Sequence, residues 1–257
     1  MRDVYTKSID KEKGKVYNIL MVNTKNTERR KTMERRIKMS PSILSANFNN
    51  LLDDVKATEK AGAEYLHIDV MDGIFVPNIS FGKIVPQTLR KHSNQVFDVH
   101  LMIVDPMRYI DDFAKAGADI ITIHHEACHD RIKVLEYIRS LGIKPCISIK
   151  PDTNPAVLEQ YLPYVDMVLI MSVQPGFGGQ KFIPSAIESC KVARELIKKS
   201  GRDIDIEVDG GLYTYNVNLV TEAGANVIVA GSSIFGAEDI GGAVLEMTKR
   251  AEETFVW

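Results

Sequence analysis

The chain has 257 residues, 45% of them hydrophobic and 26% charged, with a net charge of −2; that is enough to bury one core of barrel size or two smaller ones. No apolar run reaches the roughly 20 residues that cross a bilayer, and no apolar segment ends in a small-residue cleavage site, so membrane insertion and secretion are not expected. The three cysteines, Cys128, Cys146 and Cys190, are far apart and in no metal-ligand spacing, which fits reduced, packed thiols in a cytoplasmic protein.

Charge is unevenly spread. Residues 1–38 hold 12 Lys and Arg against 5 Asp and Glu, leaving 20 against 29 for the remainder. This basic arm has no interleaved aromatics, no repeat and no sustained helical apolar face, so neither nucleic acid nor a membrane surface is expected as its partner. It reads as a disordered N-terminal extension, or as the product of a misassigned start, translation truly beginning near Met33 or Met39. Residues 39–257 then form the catalytic domain.

From Met39 onward one pattern recurs. Ala61-Gly62-Ala63 precedes EYLHIDV, Ala116-Gly117-Ala118 precedes DIITIHH, and Ala223-Gly224-Ala225 precedes NVIVAGS, with Leu141-Gly142-Ile143 before KPCISIK as a looser copy. Each is a helix stop on glycine followed by a short β-branched run of the kind buried on both faces. Filling the intervals predicts strands over 39–45, 64–70, 96–102, 119–124, 144–149, 166–172, 204–209 and 226–231. Helical patterns lie between them over 49–61, 86–91, 106–116, 129–141, 154–161, 184–200, 213–223 and 239–253. Eight alternations of strand and helix are the sequence form of an α/β fold of the (β/α)8 TIM-barrel type. A doubly wound open sheet has no natural use for eight units. It usually carries a glycine-rich turn after its first strand, where this chain has SANFNN.

In such a barrel the active site sits at the C-terminal ends of the strands. His67 and Asp69, two apart on one strand, share a face. With His100 from the third strand and Asp209 from the seventh they bring two imidazoles and two carboxylates to one mouth, a set suited to one divalent metal ion: Zn, Mn, Fe or Co. Small residues cluster later in the chain: Gly176-Phe177-Gly178-Gly179 after the sixth strand, Gly210-Gly211 after the seventh, and Gly231-Ser232-Ser233 after the eighth. Backbone N–H groups in such loops cradle a phosphate. A metal beside an anion site, with Asp69 and Asp209 facing across the mouth, points to proton transfer next to a carbonyl, the metal stabilising an enediolate. Lys150 could form a Schiff base, though KPD at a strand end equally suits a solvated lysine opening a turn.

The strings PSILSANF, HIDVMDGIFVPN, DVHLM, MSVQPGFGGQKF and EVDGG together resemble the ribulose-phosphate 3-epimerase family, in order, from about Met39 to the C-terminus. That resemblance implies a metal-dependent barrel of the ribulose-phosphate-binding type, an isomerase of the pentose phosphate pathway. It would interconvert D-ribulose 5-phosphate and D-xylulose 5-phosphate, as a homo-oligomer. It implies that Asp69 and Asp209 are the two proton-transfer residues, that His67, Asp69, His100 and Asp209 hold the metal, and that Ser42 and His100 contact the sugar. Gly176, Phe177, Gly178, Gly179, Gly210, Gly211, Gly231 and Ser232 would surround the phosphorylated end, with Met71, Met102 and Met171 lining the site. Asn47, His125 and Gln174 depart from the family's usual residues and touch no implied ligand. Two alternatives stand beside this reading: a D-allulose 6-phosphate 3-epimerase of the same mechanism, and a non-catalytic phosphate-binding barrel.

Overall fold

The computed structural model describes residues 36–257 together with the two-residue strands Ser8–Ile9 and Val16–Tyr17, which pair antiparallel with each other. By contacts the chain divides into a unit over Met1–Arg35 and a unit over Arg36–Trp257. The reading of the basic arm as disordered, or as a misassigned start, otherwise lies outside the described residues.

The second unit is a parallel (β/α)8 barrel. Its strands are β1 (Lys38–Pro41), β2 (Tyr65–Met71), β3 (Val96–Met102), β4 (Ile120–His124), β5 (Lys144–Ile149), β6 (Met167–Met171), β7 (Asp205–Asp209) and β8 (Val227–Ala230). Their order in the sheet is β1-β8-β7-β6-β5-β4-β3-β2, with every pair parallel. The remaining seam, between β1 and β2, is joined by one parallel bridge between Ser42 and His67.

The four glycine stops behave as predicted. Gly62, Gly117, Gly142 and Gly224 have φ of +91°, +98°, +79° and +110°. At three of them the following residue donates its N–H five residues back, as Ala63 to Thr58 at 3.1 Å, Ala118 to Phe113 at 3.1 Å and Ala225 to Val220 at 3.0 Å. Left-handed glycine reverses the chain there and feeds it straight into the next strand.

The strands divide their side chains between two environments. Outward residues such as Leu66, Ile68, Val99, Ile121, Ile147, Val168, Ile206 and Ile228 pack beneath the helices in the main hydrophobic cluster. Among these helices are α1 (Leu51–Lys60), α4 (Arg131–Ser140), α5 (Ser185–Ser200) and α8 (Ile240–Thr254). Inward residues at the N-terminal end, including Tyr65, Ile120, Met167 and Val227, form a separate apolar floor. Above that floor the barrel interior is polar: Ser40, His67, Asp98, Thr122 and Glu207 are all 0% exposed.

Four expected elements differ. The strand expected over 39–45 stops at Pro41, because Ser42, still bonded to Ala230 O and bridged to His67, caps a 3-10 turn over Ile43–Ser45, its hydroxyl accepting from Leu44 N. The helix expected over 106–116 is a 3-10 turn, Pro106–Arg108, followed by α3 (Ile110–Lys115), broken at Tyr109. The expected helix over 154–161 is a 3-10 segment, Pro155–Tyr164, that contains Pro163; proline supplies no N–H and crowds the preceding turn. The helix expected over 213–223 forms only over Asn218–Thr221, because Asn216 ties the preceding residues into a turn, accepting from Tyr213 N at 2.7 Å and donating to Gly211 O at 2.9 Å. The short helices α2 (Ile84–Leu89), α6 (Asn218–Thr221) and α7 (Ser232–Phe235) complete the set.

Ile68 sits between His67 and Asp69 but faces the helices and is fully buried. Ile68→Ala is therefore expected to lower unfolding free energy by about 2–5 kcal/mol. Urea unfolding checks the loss, and divalent-ion affinity close to wild type checks that the inward face is undisturbed.

Candidate active site

Strand register builds the site in two layers. Asp69 lies opposite His100 and His67 opposite Asp98 on β2 and β3, while Asp209 ends β7 opposite Met171 of β6. His67, Asp69, His100 and Asp209 converge, each with one ligand atom within 4.8 Å of all the others. His67 Nε2 is 3.3 Å from both Asp69 Oδ1 and His100 Nδ1. His100 Nδ1 is 3.1 Å from Asp69 Oδ1, and Asp209 Oδ2 stands 3.9–4.0 Å from both ring nitrogens.

These separations test the expected metal. Donor atoms each about 2.1 Å from one ion lie roughly 3–4 Å from one another across the coordination angles a four- to six-ligand site uses. The observed spacings fall in that range. Two nitrogens and two carboxylate oxygens are also the donor types that Zn, Mn, Fe and Co accept. The residues present fit a divalent ion.

Charge in the cluster follows the same logic. Burial alone would lower the pKa of His67, but the carboxylates of Asp69 and Asp98 raise it well above the usual histidine value. Burial would raise that of Asp69, which His67 and His100 hold below the usual carboxylate range. Asp209, pushed by burial and by the Asp69 charge, rises to about 6. A proton on the cluster thus supplies part of the positive charge that its acceptors require.

Beneath this layer, Asp98 Oδ2 is 2.7 Å from His67 Nδ1 and accepts from the Ser40 hydroxyl at 3.3 Å. Glu207 lies beside them, and burial together with the Asp98 charge keeps its carboxyl well above the usual range, in the neutral acid form. On the other flank His100 Nε2 meets His124 Nε2 at 2.8 Å, and His124 Nδ1 is 3.3 Å from Glu126 Oε2. Burial lowers His124 to about 4. Burial would raise Glu126, but bonds from His124, Lys150 N and Thr153 hold it at about 2.

Above the cluster opens a cleft. Its lining includes Ser42, Asp69 and Asp209, the three methionines Met71, Met102 and Met171, and the glycine groups Gly176–Gly179, Gly210–Gly211 and Gly231 with Phe177 and Ser232. Ser42 donates its hydroxyl to Asp69 Oδ2 at 2.5 Å. Gly211 has φ +65°, and a Cβ there would come 2.5 Å from Phe182 N. At Gly231 a Cβ would come 2.7 Å from Ser45 Oγ. These two positions leave backbone bare at the cleft wall because a side chain has no room.

Other polar strand-end residues do not join the cluster. Asp72 caps its own loop, accepting from Ile74, Phe75 and Val104 N–H groups. His125 turns outward to the Tyr161 hydroxyl at 2.8 Å, and Gln174 donates to Asp152 at 2.9 Å. The Lys150 ammonium lies 4.1 Å over the Phe75 ring. Ser45, Asp98 and His124, which the sequence places at the same strand ends without a role in the metal set, lie at the site, and so do Glu207 and Glu126, which it does not mark. The period-2 alternation that pairs His67 with Asp69 also pairs Asp98 with His100 and Glu207 with Asp209, and was the signal available for Asp98 and Glu207.

With a four-residue metal-capable cluster and a glycine-lined cleft at the C-terminal ends of its strands, the chain is built as a (β/α)8 barrel enzyme. Residues 38–235 match the model of the ribulose-phosphate 3 epimerase family. Ribulose-phosphate 3-epimerase of Synechocystis sp. is 47% identical over 224 residues, covering 86% of this chain and 97% of the relative. The Bacillus subtilis enzyme of that name is 46% identical, covering 82% and 98%, and the chloroplastic one of Arabidopsis thaliana 48% identical, covering 80% and 74%. The chain belongs to the ribulose-phosphate 3-epimerase family and is an enzyme of the isomerase class, an epimerase. Among solved structures, 3-hexulose-6-phosphate synthase from Salmonella typhimurium shares the fold, with TM-score 0.63 at 16% identity, covering 85% of this chain and 100% of that one. No helix among the described residues is long and apolar enough to cross a membrane.

A divalent ion held by this cluster would have to displace the protons on His67 and Asp209. Both groups have raised pKa values, so occupancy by protons grows as pH falls and ion affinity falls with it. Affinity is expected to drop at least about tenfold between pH 7.5 and 5.5, roughly a decade per competing proton per pH unit below its pKa. Calorimetry in two buffers of different ionisation heat should register protons released on binding.

Proposed function

We propose that this enzyme interconverts D-ribulose 5-phosphate and D-xylulose 5-phosphate by epimerisation at C3, using Asp69 and Asp209 in turn as base and acid. The observation that carries this reading is the pairing of two carboxylates over one metal-capable cluster, at the floor of a cleft whose walls are bare glycine backbone. His67, Asp69, His100 and Asp209 would hold one divalent ion, Zn, Mn, Fe or Co. The bound ion supplies positive charge to the substrate oxygens that gain electron density as the C3 proton leaves.

The remaining steps fall to the chain's own groups. Asp69 takes the C3 proton from one face, and Asp209 returns a proton to the other face. The exchange balances, with one proton removed and one delivered. Ser42, donating to Asp69 Oδ2, leaves the other carboxylate oxygen turned to the cluster. Ser42 and His100 lie where they would meet the sugar hydroxyls. The backbone N–H groups of the loops carrying Gly176–Gly179, Gly210, Gly211, Gly231 and Ser232 would bind the phosphate, which fixes C3 over the carboxylates. Met71, Met102 and Met171 pack the wall and keep water from the exchanging proton.

A homo-oligomer is part of the proposal, supported by the exposed Ile74, Ile79 and Val104 gathered around one groove. The proposed compartment is the cytoplasm and the pathway the pentose phosphate pathway.

Asp69→Asn and Asp209→Asn are each expected to reduce kcat about 10²–10⁴-fold with circular dichroism unchanged; substantial turnover in either variant would count against the two-carboxylate exchange. In deuterium oxide, the ion-loaded enzyme should incorporate deuterium at C3 of D-ribulose 5-phosphate as xylulose 5-phosphate forms, and chelation should stop both. No incorporation by a folded, ion-loaded protein leaves only a phosphate-binding role. Gly231→Ala, which places a methyl group against Ser45, is expected to raise KM about tenfold or more while kcat changes far less.

A further inference from the structure

The chemistry above makes no use of His124 or Glu126. His124 is 0% exposed and lies edge to edge with His100, the ring centroids 4.9 Å apart and the planes 27° from parallel, while Phe75 packs against it at 4.8 Å. The two rings meet Nε2 to Nε2 at 2.8 Å. Two imidazole nitrogens at that distance share a single proton, and one ring must give while the other accepts.

Which ring gives is decided two residues further on. Glu126 Oε1 accepts from Lys150 N at 2.9 Å and from the Thr153 hydroxyl. Its Oε2 faces His124 Nδ1 at 3.3 Å. A carboxylate anchored in this way offers only a lone pair to the ring, so His124 carries its proton on Nδ1 and is bare at Nε2. It then accepts the Nε2–H of His100, and His100 is left with a bare Nδ1 directed at Asp69, His67 and Asp209. The His67 ring is fixed directly, by Asp98 on its Nδ1 at 2.7 Å. Each imidazole of the cluster is thus backed by a carboxylate, His67 by the buried Asp98 at first hand and His100 by the half-buried Glu126 through a second histidine.

We propose that Glu126 and His124 are positioning residues that, through this chain of hydrogen bonds, hold the proton of His100 on Nε2 and so keep its Nδ1 bare for a divalent ion. The inference rests on the reading of His100 as a metal ligand. Residues that orient a metal-bound histidine are typically worth 10–100-fold in metal affinity.

Glu126→Gln reverses the chain. Its amide oxygen must still accept from Lys150 N and Thr153, which turns the NH2 toward His124 Nδ1. His124 must then accept there and hold its proton on Nε2, and His100 is driven to carry its proton on Nδ1, facing the ion. Zinc and manganese titrated into metal-free Glu126→Gln should bind about 10–100-fold more weakly than to wild type. Glu126→Asp, which keeps a lone pair at that point, should recover part of the loss. Nitrogen–proton NMR of the zinc-loaded wild type, with isotope-labelled histidine, should place the His124 proton on Nδ1. A purely structural role would lower Tm in both variants alike and would not distinguish Gln from Asp.

A folded Glu126→Gln protein with wild-type ion affinity overturns the relay and leaves the metal site intact. Failure of the wild type itself to bind either ion overturns the metal site and the relay together. If Glu126→Gln does not fold, the wild-type spectrum decides alone, and a His124 proton on Nε2 overturns the inference.

Discussion

Four acceptor atoms from β2, β3 and β7 within 4.8 Å of one another are the constraint on which the rest of this barrel depends. Two carboxylates and two ring nitrogens so close repel unless a cation lies among them, whether a proton or a metal ion. The cluster has to be held together by covalent geometry, and strand register does that. Because β2 and β3 pair with Asp69 opposite His100 and His67 opposite Asp98, four polar side chains point into the barrel in two layers, and sliding either strand by one residue would turn its own pair outward and break up both layers.

That arrangement inverts the usual division of labour in a barrel. Inward positions commonly carry bulky branched side chains in layers, whereas here the middle layer is Ser40, His67, Asp98, Thr122 and Glu207. Stability has to come from the other face of each strand, where Leu66, Ile68, Val99, Ile121, Ile147, Val168, Ile206 and Ile228 pack under the helices, and from the apolar floor around Tyr65, Ile120 and Met167. The polar layer is tolerable because its members are not all charged. Glu207 is held as the neutral acid beside Asp98, and a neutral carboxyl costs far less to bury than a carboxylate. The ionised member, Asp98, is directly bonded to His67 and Ser40.

Much of this was legible in the sequence because strand alternation and glycine stops are local signals. The Ala-Gly-Ala copies marked strand entries that the structure reproduces with left-handed φ at Gly62, Gly117 and Gly224. The grouping of His67, Asp69, His100 and Asp209 followed from one rule about barrel ends. Less was legible where the outcome depends on tertiary context. The apolar continuation of β1 into Ile43 and Leu44 gave no sign that Ser42 would cap a turn there and reach Asp69 across the seam. Pro163 ends a 3-10 segment that periodicity reads as an ordinary helix. His124 and His125 are adjacent and chemically identical in sequence, yet alternation sends one to His100 and the other out to Tyr161. Glu126 has no signal of its own, since its role depends on the backbone of Lys150 arriving from β5.

The site also divides by the kind of element that carries it. The metal-capable groups sit on or at the ends of strands, and three of the four are braced by a buried partner: Asp98 behind His67, His124 behind His100, Ser42 on Asp69. The cleft wall is made of loop backbone, held by bonds such as Asn78 to Gly176 O at 2.8 Å and Gln180 to Phe177 O at 2.8 Å. Strand-borne side chains cannot shift without breaking the ladder, whereas loop backbone can be re-shaped at little cost to the core. Proton transfer needs fixed geometry to within fractions of an ångström, and a phosphate, with several equivalent oxygens, does not. Under the proposed mechanism, the rigid half of this barrel is therefore where the proton exchange falls, and the loop half is where a change of sugar length would be accommodated.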